Sequence, residues 1–430
     1  MVSLGPVRTT LVTLIRQTYW GGMPFDFRTP PAAARVSPVK LTTFDRREVR
    51  GLLWSAARPT RGALLMHPRV DFTRHYTIPR LVDAGYAVLA LNSRNPNDDT
   101  DTVHEELVLD VAAGVARLRE EVDHVALLGN SGGGSLMALF QSQAEKAPDE
   151  RLRRTPAGAP TLLPVAPLAG ADALVLIAAH RGEGHVLSRC IDPSVVDELD
   201  PVTTDATLDM YDPANGFAEP PTPSAYEPPF VERYRAAQRE RVARIDERAR
   251  ALIATQVEAR RAMKVEGFAE LSFADRQTVE RARHTRHVMV VYRTMANLDY
   301  TDPRLDPSPR DYGSLLSERP DLMNRGLVGF ARKVTPRAWL STWSALSSNA
   351  DLNKTLPDVS IPMLVLHADR DEEITPDADH VPIADALAGR AEIRTIPGAG
   401  HYFEPPPGET EAPHVEALMD IMLPWLAERL

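Results

Sequence analysis

The sequence predicts an α/β protein whose mostly parallel central sheet is flanked by helices and interrupted by one large insertion. Short apolar runs alternate with segments of helical periodicity over residues 38–180. This rhythm is typical of right-handed βαβ units. It returns over residues 341–430, whereas residues 181–340 lack it. For residues 181–340 we expect a mainly helical cap, inserted after the sixth strand.

The elements of the first half follow from their apolar periodicity. Residues 1–37 are predicted to be an N-terminal extension with a short helix over 8–19. Strands are predicted at 39–44, 49–55, 62–67, 86–92, 125–129 and 172–179, and helices at 77–84, 103–122 and 135–146. The short links between the early strands favour antiparallel pairing there, and the helices between later strands favour parallel pairing.

Within the insertion, apolar residues at helical spacing predict one long helix over residues 231–265. A second helix is expected to begin at Ser272 or Asp275. The β-branched tail 287–292 either ends that helix or forms a strand.

One segment combines a strand, a sharp turn and a helix around a serine. The apolar run from residue 125 ends in Gly-Asn-Ser-Gly-Gly, residues 129–133, and a helical stretch follows at once. A turn this sharp strains the backbone and leaves no room for a Cβ close on either side. It presents the hydroxyl at a helix N-terminus, where the dipole favours negative charge. The G-x-S-x-G pattern in this context predicts a nucleophile at Ser131.

Two later segments supply the partners that a serine nucleophile needs. A buried-strand run starting at Pro362 breaks into an acidic turn with Asp369 and Asp371. A second short strand over 391–397 is followed by a small-residue loop containing His401. The chain order is therefore serine, acid, histidine, each just after a strand.

These three motifs resemble those of the α/β-hydrolase fold superfamily over about residues 38–180 and 335–430. The resemblance implies a catalytic triad of Ser131, Asp371 and His401, with Ala368 where the superfamily's acid turn usually has glycine. Asp369 is the alternative acid. In such a triad the histidine removes the serine proton, and the carboxylate fixes the imidazole tautomer.

The same resemblance implies two backbone donors for the oxyanion. One is the N–H of Gly132, directly after the nucleophile. The other comes from the loop after the third strand, where this chain has His67-Pro68 instead of the usual His-Gly. Proline has no N–H, so by position the donor is expected to be Arg69. His67 itself is predicted to contact substrate.

Composition is that of a large globular enzyme: 430 residues, 43% hydrophobic and 25% charged. The net charge of −10 argues against a nucleic-acid partner. A lone Cys190 forms no intramolecular disulfide and is predicted to be an inert thiol. No apolar run is long enough for a membrane span, and the N-terminus is a poor signal peptide. We therefore expect a cytoplasmic protein, compatible with a homo-oligomer.

The leading hypothesis is a serine hydrolase that cleaves a carboxylic ester of a small-molecule substrate, with no metal or organic cofactor. Amide or peptide cleavage, C–C bond hydrolysis and acyl transfer remain open, because the same triad serves each of them. A catalytically silent binding protein is the alternative from another class. Cap residues Val291 and Tyr292 are candidates for substrate contact, against the alternative that they pack the cap.

Overall fold

The computed structural model describes residues 27, 30–32, 34–405 and 411–430. The helix predicted over residues 8–19 lies outside them. An eight-stranded sheet forms the centre. Its strands are β1 Arg35–Thr42, β2 Glu48–Ser55, β3 Arg61–Leu65, β4 Tyr86–Leu91, β5 Val125–Asn130, β6 Ala173–Ile177, β9 Met363–Ala368 and β10 Ala391–Ile396. They lie side by side in the order β1-β2-β4-β3-β5-β6-β9-β10.

Strand β2 runs antiparallel to both of its neighbours, and the pairings from β4 to β10 are parallel. The α/β class and the mostly parallel sheet predicted from the sequence are confirmed. The flanking helices are α1 Ile78–Asp83, α2 His104–Arg119, α3 Gly132–Glu145, α9 Leu352–Thr355, α10 Val381–Leu387 and α11 Pro413–Arg429.

Alternate side chains of the buried strands enter two separate cores, as the pleat requires. On one face, Leu64 and Leu127 pack with apolar residues of α2, α3 and α10. On the other face, Leu65 and Leu128 pack with those of α1 and α11. Because both faces are covered, the central strands are mostly apolar, with polar residues such as Asn130 of β5 and His367 of β9 near their ends.

The insertion between β6 and β9 has its own cores. Its helices are α4 Glu183–Cys190, α5 Pro228–Ala262, α6 Phe273–His284, α7 Pro320–Met323 and α8 Pro336–Ala338. Two prolines occupy the first turn of α5, where a missing N–H costs nothing. Ser272 caps α6 by accepting the N–H of Asp275. Long stretches between these helices have little regular secondary structure.

The segment whose conformation the sequence left open contains a short strand. Residues Met289–Val290 form β7, which pairs antiparallel with β8, Lys333–Val334. Among the helices of the described residues, none combines the length and apolar character needed to cross a membrane.

Candidate active site

Ser131 sits between β5 and α3 in a strained conformation. Its φ is 52° and its ψ is −126°, a region that residues with a Cβ rarely adopt. The neighbouring glycines make the turn sterically feasible. A Cβ on Gly129 would lie 2.6 Å from the Gly134 Cα, and one on Gly133 would lie 2.7 Å from the Met66 carbonyl oxygen.

In the predicted triad, His401 lies within hydrogen-bonding distance of both Ser131 and Asp371. His401 Nε2 is 3.0 Å from Ser131 Oγ, and His401 Nδ1 is 2.7 Å from Asp371 Oδ2. All three side chains are buried. This is the geometry in which an imidazole can take the hydroxyl proton while a carboxylate holds its other nitrogen.

The two candidate carboxylates of the acidic turn have different hydrogen-bond partners. Asp371 Oδ1 accepts the backbone N–H groups of Glu373 and Ile374, which leaves Oδ2 directed at His401. Asp369 Oδ1 instead accepts the N–H of Gly398 at 2.6 Å and so ties the two turns together. The geometry therefore favours Asp371 as the partner of His401.

His401 and Asp371 shift each other's pKa values, as the members of an ion pair do. Burial by itself would lower the pKa of His401, but the adjacent Asp371 carboxylate outweighs it and raises that pKa to about 9. Burial would raise the pKa of Asp371, yet the imidazole and two backbone donors hold it below its usual value. The ion-paired form of the dyad is stabilised in the resting site.

The loop after β3 places a second histidine beside the Ser131 turn. His67 Nδ1 accepts the backbone N–H groups of Arg69, at 3.2 Å, and Val70, at 3.1 Å. Because Nδ1 is an acceptor, the neutral ring carries its proton on Nε2. Burial lowers the pKa of His67 to about 3, so the ring is neutral. A Cβ on Gly132 would lie only 2.9 Å from this Nε2.

The hydrogen bonds to His67 affect one of the two backbone amides predicted to bind the oxyanion. Gly132 is the first residue of α3, where helix geometry leaves the N–H without an intrahelical partner. The Arg69 amide, expected from its position to be the second donor, is directed at the His67 ring instead. Pro68 has no N–H to donate, and the next two amides of the loop both donate to His67 Nδ1.

Sequence reasoning missed a buried ion pair at the same place. Arg69 Nε and Nη2 donate to the two carboxylate oxygens of Glu183, at 3.1 Å and 3.2 Å. Glu183 starts helix α4 shortly after β6, and a Cβ on Gly132 would clash with its Oε1. Its position just beyond the carboxyl end of a parallel strand was the available signal.

A second overlooked carboxyl group is that of Glu373, in the acidic turn. Its Oε2 lies 3.8 Å from His401 Nε2. Burial raises the pKa of Glu373 to about 7, against the opposing influence of His401. The sequence offered only its spacing of two residues from Asp371.

Two aromatic rings approach this site, Phe330 from the insertion and Trp343 from just beyond its end. The Arg69 guanidinium lies 5.0 Å from the ring centre of Trp343 and 5.8 Å from that of Phe330. Val291 is buried in the apolar core of the insertion, and its N–H donates to the Arg332 carbonyl. The half-buried Tyr292 accepts a bond from Arg241 at its carbonyl. These contacts of Val291 and Tyr292 lie within the insertion and do not join them to Ser131.

Cys190 is buried in the insertion with its Sγ 3.3 Å from the Tyr300 hydroxyl. Burial raises the pKa of this thiol to about 12, which disfavours a nucleophilic thiolate. Within the described residues, no cluster of three or more histidine, cysteine or acidic side chains is arranged to hold a metal ion.

Several solved structures are similar to this chain at low sequence identity. The α/β hydrolase GrgF from Penicillium sp. sh18 is 14% identical with a TM-score of 0.46, covering 92% of this chain and 99% of that chain. The esterase domain of a Rhodothermus marinus protein is 11% identical with a TM-score of 0.41, covering 92% and 98%. Est1E from Butyrivibrio proteoclasticus is 13% identical with a TM-score of 0.40, covering 93% and 99%. No protein-family model matches the chain, and no curated protein matches its sequence.

The class of protein follows from the topology itself. The strand order, the antiparallel β2 and the strained serine turn between β5 and α3 define the α/β-hydrolase fold. The chain has this fold.

Proposed function

We propose that this protein is a serine hydrolase that cleaves a carboxylic ester through an acyl-enzyme on Ser131. The observation that carries the proposal is the hydrogen-bonded chain from Ser131 Oγ through His401 to Asp371, with distances of 3.0 Å and 2.7 Å. The strained backbone of Ser131 supports it, because such strain concentrates at functional sites.

Acylation follows from the arrangement of the three side chains. Ser131 Oγ attacks the ester carbonyl carbon while His401 Nε2 takes the hydroxyl proton. Asp371 stabilises the imidazolium that forms. When the tetrahedral intermediate collapses, the C–O bond to the alcohol breaks, and His401 returns the proton to the departing oxygen. A water molecule then attacks the acyl-enzyme with His401 as base, which releases the acid and restores the serine.

The negative charge on the carbonyl oxygen needs donors that are in place beforehand. We assign the first to the Gly132 amide at the start of α3. For the second, the backbone of Arg69 was the expectation from sequence, but its bond to His67 Nδ1 favours the His67 side chain. The Nε2–H of His67 faces the space above Gly132, so a neutral imidazole would serve as the donor.

We assign substrate specificity to the insertion. In this division, residues 38–180 and 341–430 form the catalytic core and residues 181–340 the cap, since every triad residue lies in the core. Phe330 of the cap approaches the site through Arg69, and so does Trp343, which lies just beyond the end of the cap but packs in its apolar core. We expect them, rather than Val291 or Tyr292, to shape the acyl pocket.

A panel of p-nitrophenyl esters of graded chain length, run beside amide and C–C substrates, tests the proposal. We expect ester turnover, labelling of Ser131 by a fluorophosphonate probe, and loss of both in Ser131→Ala. Turnover confined to amides or C–C substrates would replace the ester assignment while keeping the nucleophile. Absence of both labelling and turnover would favour a binding protein on this fold.

A further inference from the structure

The Glu373 carboxyl group lies on the reacting side of His401. Its Oε2 is 3.8 Å from His401 Nε2, the same nitrogen that contacts Ser131 Oγ at 3.0 Å. These two distances limit the separation of Glu373 Oε2 and Ser131 Oγ to 6.8 Å. Asp371, by contrast, contacts the opposite ring nitrogen. Glu373 Oε2 therefore lies near the two atoms, Ser131 Oγ and His401 Nε2, between which the proposed mechanism moves a proton.

Within the described part of the chain, this carboxyl group is buried without the hydrogen-bond partners that buried carboxylates normally have. The Glu373 side chain is 8% exposed. Its Oε1 is fully buried and has no hydrogen-bond partner among the described residues. Asp371, in the same turn, accepts from His401 and from two backbone amides. Buried polar groups left unsatisfied are costly and uncommon, so Oε1 has capacity for a bond that the described residues do not supply.

The cations nearest Glu373, His401 and Arg69, favour its charged form but do not outweigh the effect of burial. Arg69 is paired with Glu183 at 3.1 Å, and His401 is paired with Asp371 at 2.7 Å. The ion pairs of the described residues give Glu373 one partner, His401, at the longer distance of 3.8 Å. Burial raises the pKa of Glu373 to about 7. A hydrogen-bond donor on a bound ligand would satisfy the free acceptor capacity of Glu373 Oε1.

We propose that Glu373 forms a recognition subsite for a hydrogen-bond donor, a hydroxyl or an ammonium group, that the substrate carries within a few bonds of its scissile carbonyl. The inference rests on the proposed function, because it takes Ser131 as the nucleophile. It deepens that function by naming the substrate class: esters of hydroxylated or amine-bearing acids or alcohols, rather than simple alkyl esters.

Two matched sets of esters test this subsite. On the acyl side, p-nitrophenyl butyrate is compared with p-nitrophenyl 3-hydroxybutyrate. On the alcohol side, propyl butyrate is compared with 2-hydroxyethyl and 2-(dimethylamino)ethyl butyrate, with acid release as the readout. We expect kcat/KM to favour at least one donor-bearing ester by roughly tenfold, the effect of one hydrogen bond to a charged group. The hydroxyl and amine esters distinguish the two donor chemistries.

Variants of Glu373 and of its neighbour Glu372 test whether the preference for donor-bearing esters depends on Glu373. In Glu373→Leu we expect the preference to disappear. In the isosteric Glu373→Gln, preference for an ammonium should be lost, while that for a hydroxyl is partly retained. Glu372→Gln is the matched control. Its backbone carbonyl accepts a bond from Arg310, and the preference should persist in this variant.

The outcomes separate this inference from the function on which it rests. Ester turnover with equal kcat/KM for all members of each set, or a preference that survives Glu373→Leu, overturns the subsite and leaves the serine hydrolase intact. Absence of turnover together with absence of fluorophosphonate labelling overturns both. Far-UV circular dichroism of each variant verifies that the lost preference is not lost folding.

Discussion

Arg69 and Glu183 form an ion pair in which both side chains are almost completely buried, at 5% and 1% exposure. The pair joins the loop after β3 to the first turn of α4 and lies against Gly132. Burial opposes the charge of Glu183, but Arg69 outweighs it and lowers the pKa of that carboxyl. The insertion is thus tied to the core directly beside the serine turn.

Breaking this pair should destabilise the protein. Glu183→Ala leaves the Arg69 guanidinium buried without its carboxylate, and loss of one partner of a buried pair costs about 3–5 kcal/mol. Denaturant unfolding at neutral pH measures the change in free energy. The half-exposed helical pair Arg117–Glu121 provides the control, since Glu121→Ala should cost no more than about 0.5 kcal/mol. Equal losses in the two variants would contradict the role assigned to burial.

Ser131 and His401 should behave as one unit. Ser131→Ala and His401→Ala are each expected to reduce kcat on the order of 10⁶, with little further loss in the double variant. The reason is that the imidazole has no proton to take once the hydroxyl is gone. Steady-state kinetics of the two single variants and the double variant measure this coupling. Multiplicative losses would mean that the two side chains act independently.

The two aspartates of the acidic turn should differ sharply. Asp371→Asn removes the acceptor that holds His401 Nδ1, a change that costs on the order of 10⁴ in kcat in a comparable triad. Asp369 bonds to the Gly398 amide instead, so Asp369→Asn should affect kcat far less. Turnover of both variants on the same ester is the measurement. If Asp369→Asn lowered kcat more than Asp371→Asn, Asp369 would have to be assigned as the partner of His401.

The acid limb of the pH profile of kcat/KM should lie at alkaline pH. The Asp371 carboxylate raises the pKa of His401 from 6.5 to about 9 against the effect of burial, and Glu373 and Glu404 act in the same direction. Only the neutral imidazole accepts the serine proton, so kcat/KM should rise with pH through this pKa. A profile of kcat/KM between about pH 5 and about pH 10 measures it. An acid limb at or below pH 6.5 would show that the carboxylate does not act as described.

His67 should contribute to oxyanion stabilisation through its side chain. Loss of one such donor typically costs about 10²–10³ in kcat, and we expect a loss of this size in His67→Ala. In His67→Gln the amide N–H₂ can take the place of Nε2–H, so part of the activity should return. Kinetics beside melting temperatures separate this effect from misfolding. If His67→Gln and His67→Ala were equally inactive but stable, the second donor would be sought in the backbone.

Local patterns in the sequence determined the fold class and the candidate nucleophile. Strand, turn and helix are adjacent in the chain around Ser131, and the glycine at 129 is required by a contact within the turn itself. The acidic and histidine turns were recognisable for the same reason, since each directly follows an apolar strand. Parallel strands end at one edge of a sheet, so their chain order already implied that Ser131, Asp371 and His401 could meet.

Only the tertiary structure decided which other side chains share that space. Glu183 and Arg69 are 114 positions apart, and the bond from the Arg69 amide to His67 depends on how a proline-containing loop folds inward. The approach of Trp343 to Arg69, and the confinement of Val291 to the core of the insertion, depend on how irregular segments pack. Such contacts arise from the burial of apolar surface and the pairing of buried charges between distant segments, which leave no periodic trace in the sequence.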